Sequence, residues 1–255
     1  MIDVHCHLLP GLDDGPGDDL ESIAMARVAA ANGIEQTIAT PHVREDHLAG
    51  DAAPIRRAVG RLQALLDAEG IPLVVRPGAE VAIGPALELD GAALRDLTLA
   101  GAGTLLLETP HARLPSIFEA VVDRLLDQGL RVLLAHPELN PDLQADPSRL
   151  GAMVERGALV QITATSLEPG GKARHKQLAA HALDRGWAHV VATDSHSSVW
   201  RPPVTGEARE VAGPLWEWLT HDVPSALVTG APIPERPVPV APPPKRGGRW
   251  LAWRR

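Results

Sequence analysis

Nine side chains able to bind a divalent metal stand at or just beyond the ends of short apolar runs. Ile2-Asp3-Val4 leads into His5 and His7, Ile38-Ala39-Thr40-Pro41 into His42, and Val74-Val75-Arg76-Pro77-Gly78-Ala79 into Glu80. Leu105-Leu106-Leu107 ends at Glu108, Val132-Leu133-Leu134-Ala135 at His136, and Val190-Val191-Ala192-Thr193 at Asp194 and His196. Asp14 follows in the turn Asp13-Asp14-Gly15-Pro16. Residues two apart on a strand point the same way, so His5 and His7 can reach one ion, and Asp194 with His196 repeats the arrangement. Mixed nitrogen and oxygen ligands suit Mn²⁺, Fe²⁺ or Zn²⁺. Nine ligands exceed the needs of one or two ions; three ions, each with about three or four protein ligands plus water, would use them all. Any single match reads equally well as a surface histidine or a capping acid. The set argues for chemistry, because acids and imidazoles buried together are costly unless paired or metallated.

The elements that would position these ligands alternate regularly. Strands are expected over about 2–5, 36–40, 72–76, 104–108, 131–135, 158–163 and 188–193. Helices are expected from Asp18 or Asp19 to Asn32, from Pro54 to Glu69, after Pro115, from Pro147, through Leu178–Leu183 and over about 207–220, several closed by a glycine. Residues 85–98 are ambiguous. Strand–helix alternation implies right-handed crossovers and a parallel sheet. Ligands at the end of nearly every strand fit the C-terminal mouth of a distorted (β/α)7 barrel better than a doubly wound sheet with one switch point. One domain over 1–231 and a Pro-rich, then basic, disordered tail over 232–255 are expected.

Composition narrows the function. The net charge is −8, and the five cations of residues 245–255 leave the rest at −13. So acidic a body argues against a phosphate-backbone surface and against nucleic acid as partner. The chain shows no signal-peptide pattern, and its one cysteine, Cys6, permits no internal disulfide, so a cytoplasmic setting is expected. Six histidines (His47, His111, His175, His181, His189 and His221) match no ligand pattern and read mostly as surface or loop residues.

Six segments together resemble the polymerase-and-histidinol-phosphatase (PHP) superfamily: Met1-Ile-Asp-Val-His-Cys-His-Leu-Leu-Pro, Asp13-Asp14-Gly15-Pro16, Ala39-Thr40-Pro41-His42, Pro77-Gly78-Ala79-Glu80, Ala135-His136-Pro137-Glu138 and Thr193-Asp194-Ser195-His196. Within it the chain is most similar, over about residues 1–201, to the bacterial manganese-dependent protein-tyrosine phosphatases of capsule and exopolysaccharide operons. The resemblance implies the distorted barrel and three divalent ions, Mn²⁺ in first place with Fe or Zn as alternatives. His5, His7, Glu80 and Asp194 would hold one ion. Glu80, Glu108 and His136 would hold a second, and Asp14, His42 and His196 the third. Arg201 would grip phosphate, and its planar fork suits that task. The family usually carries an arginine where this chain has Leu139; Arg44 is a candidate substitute. His42, or a water on the third ion, is the candidate proton donor to the leaving group. Cys6 lacks the Cys-x5-Arg loop of thiol phosphatases, since Leu12 stands six residues on, and it points away from His5 and His7.

The expected activity is thus metal-dependent hydrolysis of phosphotyrosine on a membrane-associated tyrosine kinase, without a phosphoenzyme. The alternatives are a PHP phosphatase for a small metabolite such as histidinol phosphate, a nuclease, and a metal-bound regulatory module without catalysis. Trp250 and Trp253, set among Arg249, Arg254 and Arg255, suggest weak peripheral membrane contact by the tail.

Overall fold

In a computed structural model of the chain, residues 1–238 are described except 46, 47, 49 and 171. The strands are β1 (Ile2–Cys6), β2 (Gln36–Ala39), β3 (His42–Val43), β4 (Val74–Pro77), β5 (Glu80–Val81), β6 (Thr104–Glu108), β7 (Arg131–Ala135), β8 (Leu159–Thr163) and β9 (Val190–Ala192). All pairings are parallel, in the orders β1-β2-β4 and β3-β5-β6-β7-β8-β9. The two sheets are one surface. Thr40-Pro41 interrupts β2/β3, and Gly78-Ala79 interrupts β4/β5, yet the Glu80 N–H still donates to the Pro41 carbonyl at 3.2 Å and Gly78 to Ala39 at 3.0 Å. Gly78 is needed there, since a Cβ would stand 2.7 Å from Ile38. Counting each broken pair once leaves seven strands.

The last strand closes on the first. Asp194 N–H donates to the His5 carbonyl at 2.8 Å, and His7 N–H to the Ser195 carbonyl at 2.9 Å. Beneath these bonds the buried Asp3 carboxylate accepts both the backbone N–H and the hydroxyl of Thr193, at 3.1 and 2.6 Å. The result is a seven-stranded α/β barrel closed between its last and first strands.

The helices cover the barrel because each turns one apolar stripe inward. They are α1 (Asp19–Ala31), α2 (Ala53–Ala68), α3 (Ile83–Glu88), α4 (Gly91–Asp96), α5 (Phe118–Asp127), α6 (Pro141–Ala145), α7 (Ser148–Glu155), α8 (Ala173–Arg185), α9 (Ala208–Ala212) and α10 (Val223–Thr229). In α2, for example, Ile55, Val59, Leu62 and Leu66 form the buried row. Asp18 caps α1 by accepting from Glu21 N–H. No helix among the described residues is long and apolar enough to cross a membrane.

Three expectations need correction. The ambiguous stretch 85–98 holds two short helices, α3 and α4, separated where Asp90 caps the second. The helix expected over 207–220 breaks at Gly213-Pro214, because proline cannot continue the ladder of α9. The stretch from Pro232 is not loose where it is described. Ile233 packs on the core, the Trp218 indole donates to the Pro234 carbonyl at 3.1 Å, and Arg236 donates to the Leu183 carbonyl at 2.7 Å. Those partners give a proline-rich segment a place to dock that its composition does not reveal. Trp250, Trp253 and the basic residues around them lie outside the described residues.

Candidate metal centre

The closed barrel brings all nine expected ligands to one mouth. β1 delivers His5, with His7 just beyond it. β3 and β5 start on His42 and Glu80, β6 ends on Glu108, and His136, Asp194 and His196 follow β7 and β9. Two of these residues are held in the left-handed region, His136 at φ 36° and Asp194 at φ 51°. Such backbone costs of order 1–3 kcal/mol per residue and persists where the surroundings impose it. Gly15 lets the Asp13–Asp14 turn approach the mouth, since a Cβ there would meet the His7 carbonyl at 2.6 Å.

The hydrogen bonds assign the ring orientations. His5 Nδ1–H donates to Gln161 at 2.9 Å, His7 Nδ1–H to Asp13 at 2.6 Å, and His196 Nδ1–H to the Asp194 carbonyl at 3.0 Å. In each case Nε2 is left with a lone pair facing the mouth. The Nε2 atoms of His5 and His7 lie 3.2 Å apart. Both also face Asp194 Oδ1, at 3.5 and 3.6 Å, and Glu80 Oε2, at 3.3 and 3.4 Å. Glu80 Oε2 is buried and has no hydrogen-bond partner. Four ligand atoms turned on one point, where a divalent cation could take the place of protons, are a donor set for such an ion.

Two further groups surround this one. Asp14, His42 and His196 converge with His7, Asp14 Oδ1 lying 3.5 Å from His42 Nε2 and 3.3 Å from His196 Nε2. Glu80, Glu108 and His42 form the other, His42 Nδ1 lying 3.0 and 4.0 Å from the two carboxylates. His136 approaches Glu80 from the far side, its Nε2 2.8 Å from Oε1. Glu108 stands beside Glu80 and His42, and the Arg44 guanidinium donates to it at 3.0 Å. Both ring nitrogens of His42 face carboxylates, so its expected roles as ligand and as proton donor compete for the same atoms.

The electrostatics demand positive charge here. Burial pulls the His7 imidazole down, but Asp13 and Glu80 override it and push the ring up to about 10. His136 is likewise pulled down by burial and pushed up to about 9 by Glu80. Burial would raise the Glu80 carboxyl; His5 and His136 hold it well below the usual carboxylate range. A bound cation can supply the charge in place of those protons.

A family model described as "Capsular polysaccharide synthesis, CpsB/CapC" matches residues 1–213. The chain belongs to the CpsB/CapC family. It is 38% identical over 208 residues to the tyrosine-protein phosphatase YwqE of Bacillus subtilis, with 82% of each chain covered. It is 26% identical over 223 residues to the tyrosine-protein phosphatase CpsB of Streptococcus pneumoniae, covering 83% of this chain and 89% of that one. A solved chain of the YwqE and CpsB pair, described as "unique metal-dependent tyrosine phosphatases", superposes with a TM-score of 0.84 at 35% identity, covering 95% of this chain and 100% of that one.

Around the centre, this CpsB/CapC member differs from simple expectation at several residues. Arg201 does reach the mouth, where its Nη2 donates to Asp194 Oδ2 at 2.7 Å and to the Asp194 carbonyl at 2.8 Å. Arg44 and Arg201 line opposite parts of one cavity of ≈180 Å³. His111, expected to be a bystander, lines it too, its ring 4.8 Å from that of His136; burial and the charge of His136 lower it to about 4. Asp13 and Gln161 also escaped the motif reading, because neither ends an apolar run; only the short spacing of Asp13 from His7 hinted at it. Cys6 lies away from the cavity, its Sγ 3.0 Å from Ser195 Oγ, and burial pushes its thiol well above the usual range. His47 lies outside the described residues.

Proposed function

We propose that the protein is a metal-dependent protein-tyrosine phosphatase of capsule or exopolysaccharide synthesis. The observation that carries the reading is the convergence of His5, His7, Glu80 and Asp194 lone pairs on one point, in a chain whose relatives are tyrosine-protein phosphatases. Three Mn²⁺ ions are proposed: one on those four residues, one on Glu80, Glu108 and His136, one on Asp14, His42 and His196. Ions held there would act as Lewis acids and lower the pKa of water from 15.7 towards about 7.

The chain's own groups do the rest. Gln161 and Asp13 fix the tautomers of His5 and His7, so the ligands need not reorganise. Arg201, held by Asp194, offers its remaining N–H groups to phosphate oxygens as negative charge develops. Phenolate, with a pKa of about 10, leaves with little protonation, so a dedicated proton donor matters less than for an alkyl ester. Cys6 takes no part. The proposed substrate is a phosphotyrosine protein, a membrane-associated tyrosine kinase, met in the cytoplasm, with the basic tail making weak contact with anionic lipid.

The test compares Mn²⁺-loaded protein on a phosphotyrosine peptide, the matching phosphoserine peptide and histidinol phosphate. Preference for the first by tenfold or more in kcat/KM supports the reading. Preference for histidinol phosphate would replace it with a metabolite phosphatase, and no turnover of any would leave a binding module.

A further inference from the structure

Beside the metal-ligand cavity lies a larger groove of ≈620 Å³. The two share His111, Asp194 and Arg201. A phosphate ester gripped by Arg201 must send its alcohol portion somewhere, and the groove begins where Arg201 ends. Its lining includes Thr163 at the end of β8, Thr193 just past β9, and the charged Glu168 and Lys172. Its apolar wall is made by Leu139, Trp200, Pro202 and Val204.

Trp200 is 68% exposed, yet the loop that carries it is tied down. Ser197 Oγ accepts the N–H groups of Val199 and Trp200, at 3.1 and 3.5 Å. The N–H groups of His196 and Ser197 both donate to the Arg201 carbonyl, at 3.0 and 3.2 Å. Ser198 donates twice to the Glu21 carboxylate, from its N–H at 2.7 Å and its hydroxyl at 3.2 Å. A loop so fixed holds an indole at the rim next to the phosphate-facing arginine, an arrangement that costs water-exposed apolar area unless a ligand covers it. Leu139 lines the same groove and adds an alkyl side chain to it.

We propose that Trp200 and Leu139 are the two sides of a slot for the aromatic leaving group, and that they set the preference for aryl over alkyl phosphate esters. This rests on the phosphatase reading above. Aromatic rings pack on an indole face in offset or edge-on geometry, and an alkyl ester such as phosphoserine is too short to reach it. In this arrangement Arg201 takes the anion and the slot takes what it is attached to.

Steady-state kinetics on metal-loaded protein, with two non-hydrolysable inhibitors, test the slot. Trp200→Ala should raise KM for p-nitrophenyl phosphate and phosphotyrosine by about tenfold, with kcat changed much less, as loss of binding shared by ground and transition states requires. The same substitution should weaken phenylphosphonate by a like factor and leave methylphosphonate and inorganic phosphate within about twofold. Leu139→Arg should weaken phenylphosphonate and tighten inorganic phosphate. Equal effects of Trp200→Ala on phenyl- and methylphosphonate, or no effect on either, would overturn the proposal and leave Trp200 as a contact for some other surface. If wild-type protein turns over no phosphate ester, the phosphatase reading fails by itself; the two phosphonates still report whether the slot selects an aryl group.

Discussion

Asp13 Oδ2 lies 2.6 Å from His7 Nδ1 and also accepts the backbone N–H of His42 at 3.1 Å. One carboxylate outside the nine expected ligands thereby sets the tautomer of one of them and the place of another. The pair also shifts its own charges: burial opposes it, yet His7 holds the Asp13 carboxyl at about 2. Asp13→Asn should weaken metal affinity by about 10–100-fold, as loss of a carboxylate behind a ligating histidine does elsewhere. Calorimetric titration with Mn²⁺ measures this, and an unchanged affinity would confine Asp13 to shaping its turn.

Glu80 should matter more than Arg201. Its two oxygens face His136 on one side and His5, His7 and His42 on the other. Glu80→Ala removes a shared ligand and leaves those imidazoles without their anion. Removing a single charge-stabilising donor typically costs about 10²–10³ in rate, which is the loss expected for Arg201→Ala. A kcat for Arg201→Ala below that of Glu80→Ala would reverse the two roles.

Chelation and thiol loss should separate cleanly. EDTA should abolish turnover, while Cys6→Ser, at a buried position beside Ser195, should leave kcat within about threefold, because no covalent step runs through sulfur. A large loss in the Cys6 variant at full metal content would reopen the thiol mechanism.

Elemental analysis after Mn²⁺ reconstitution should find close to three ions per chain. The three ligand groups share Glu80, His7 and His42, so loading should be cooperative rather than independent. One ion or fewer would remove the trinuclear reading.

Stability should fall in mild acid through His189. This ring accepts the Val160 N–H at its Nδ1, and burial lowers it to about 4. The unfolded chain protonates near 6.5, so between about 6.5 and 4 it binds the proton that the folded chain refuses, and lowering the pH favours unfolding. His189→Gln should flatten the fall in Tm across that window in metal-free protein. A slope unchanged by the substitution would assign the acid sensitivity to other groups.

Eight of the nine residues gathered at the mouth could be placed there from sequence because each stands at or just beyond the end of an apolar run, and a strand end has only one place to be in a parallel barrel; Asp14 was read from its turn. Asp13 and Gln161 were not legible, because what they do depends on a turn and on a neighbouring strand's register. The expected strands stopped at about 40 and 76, so the continuations β3 and β5 beyond Thr40-Pro41 and Gly78-Ala79 went unread. The docking of residues 232–238 went unread because proline content speaks of local stiffness, whereas Trp218 and Leu183 supply the partners from elsewhere.

The seam between β1 and β9 has a consequence for how the molecule comes into being. His5 and His7 are among the first residues made, and Asp194 and His196 follow after nearly two hundred more. Their meeting is a contact of very long sequence separation, which slows folding and defers the site to its end. A nascent chain halted before β9 would hold Asp3 without Thr193 and an open sheet edge at β1. The metal centre can therefore assemble only after the chain has been made through β9 and His196.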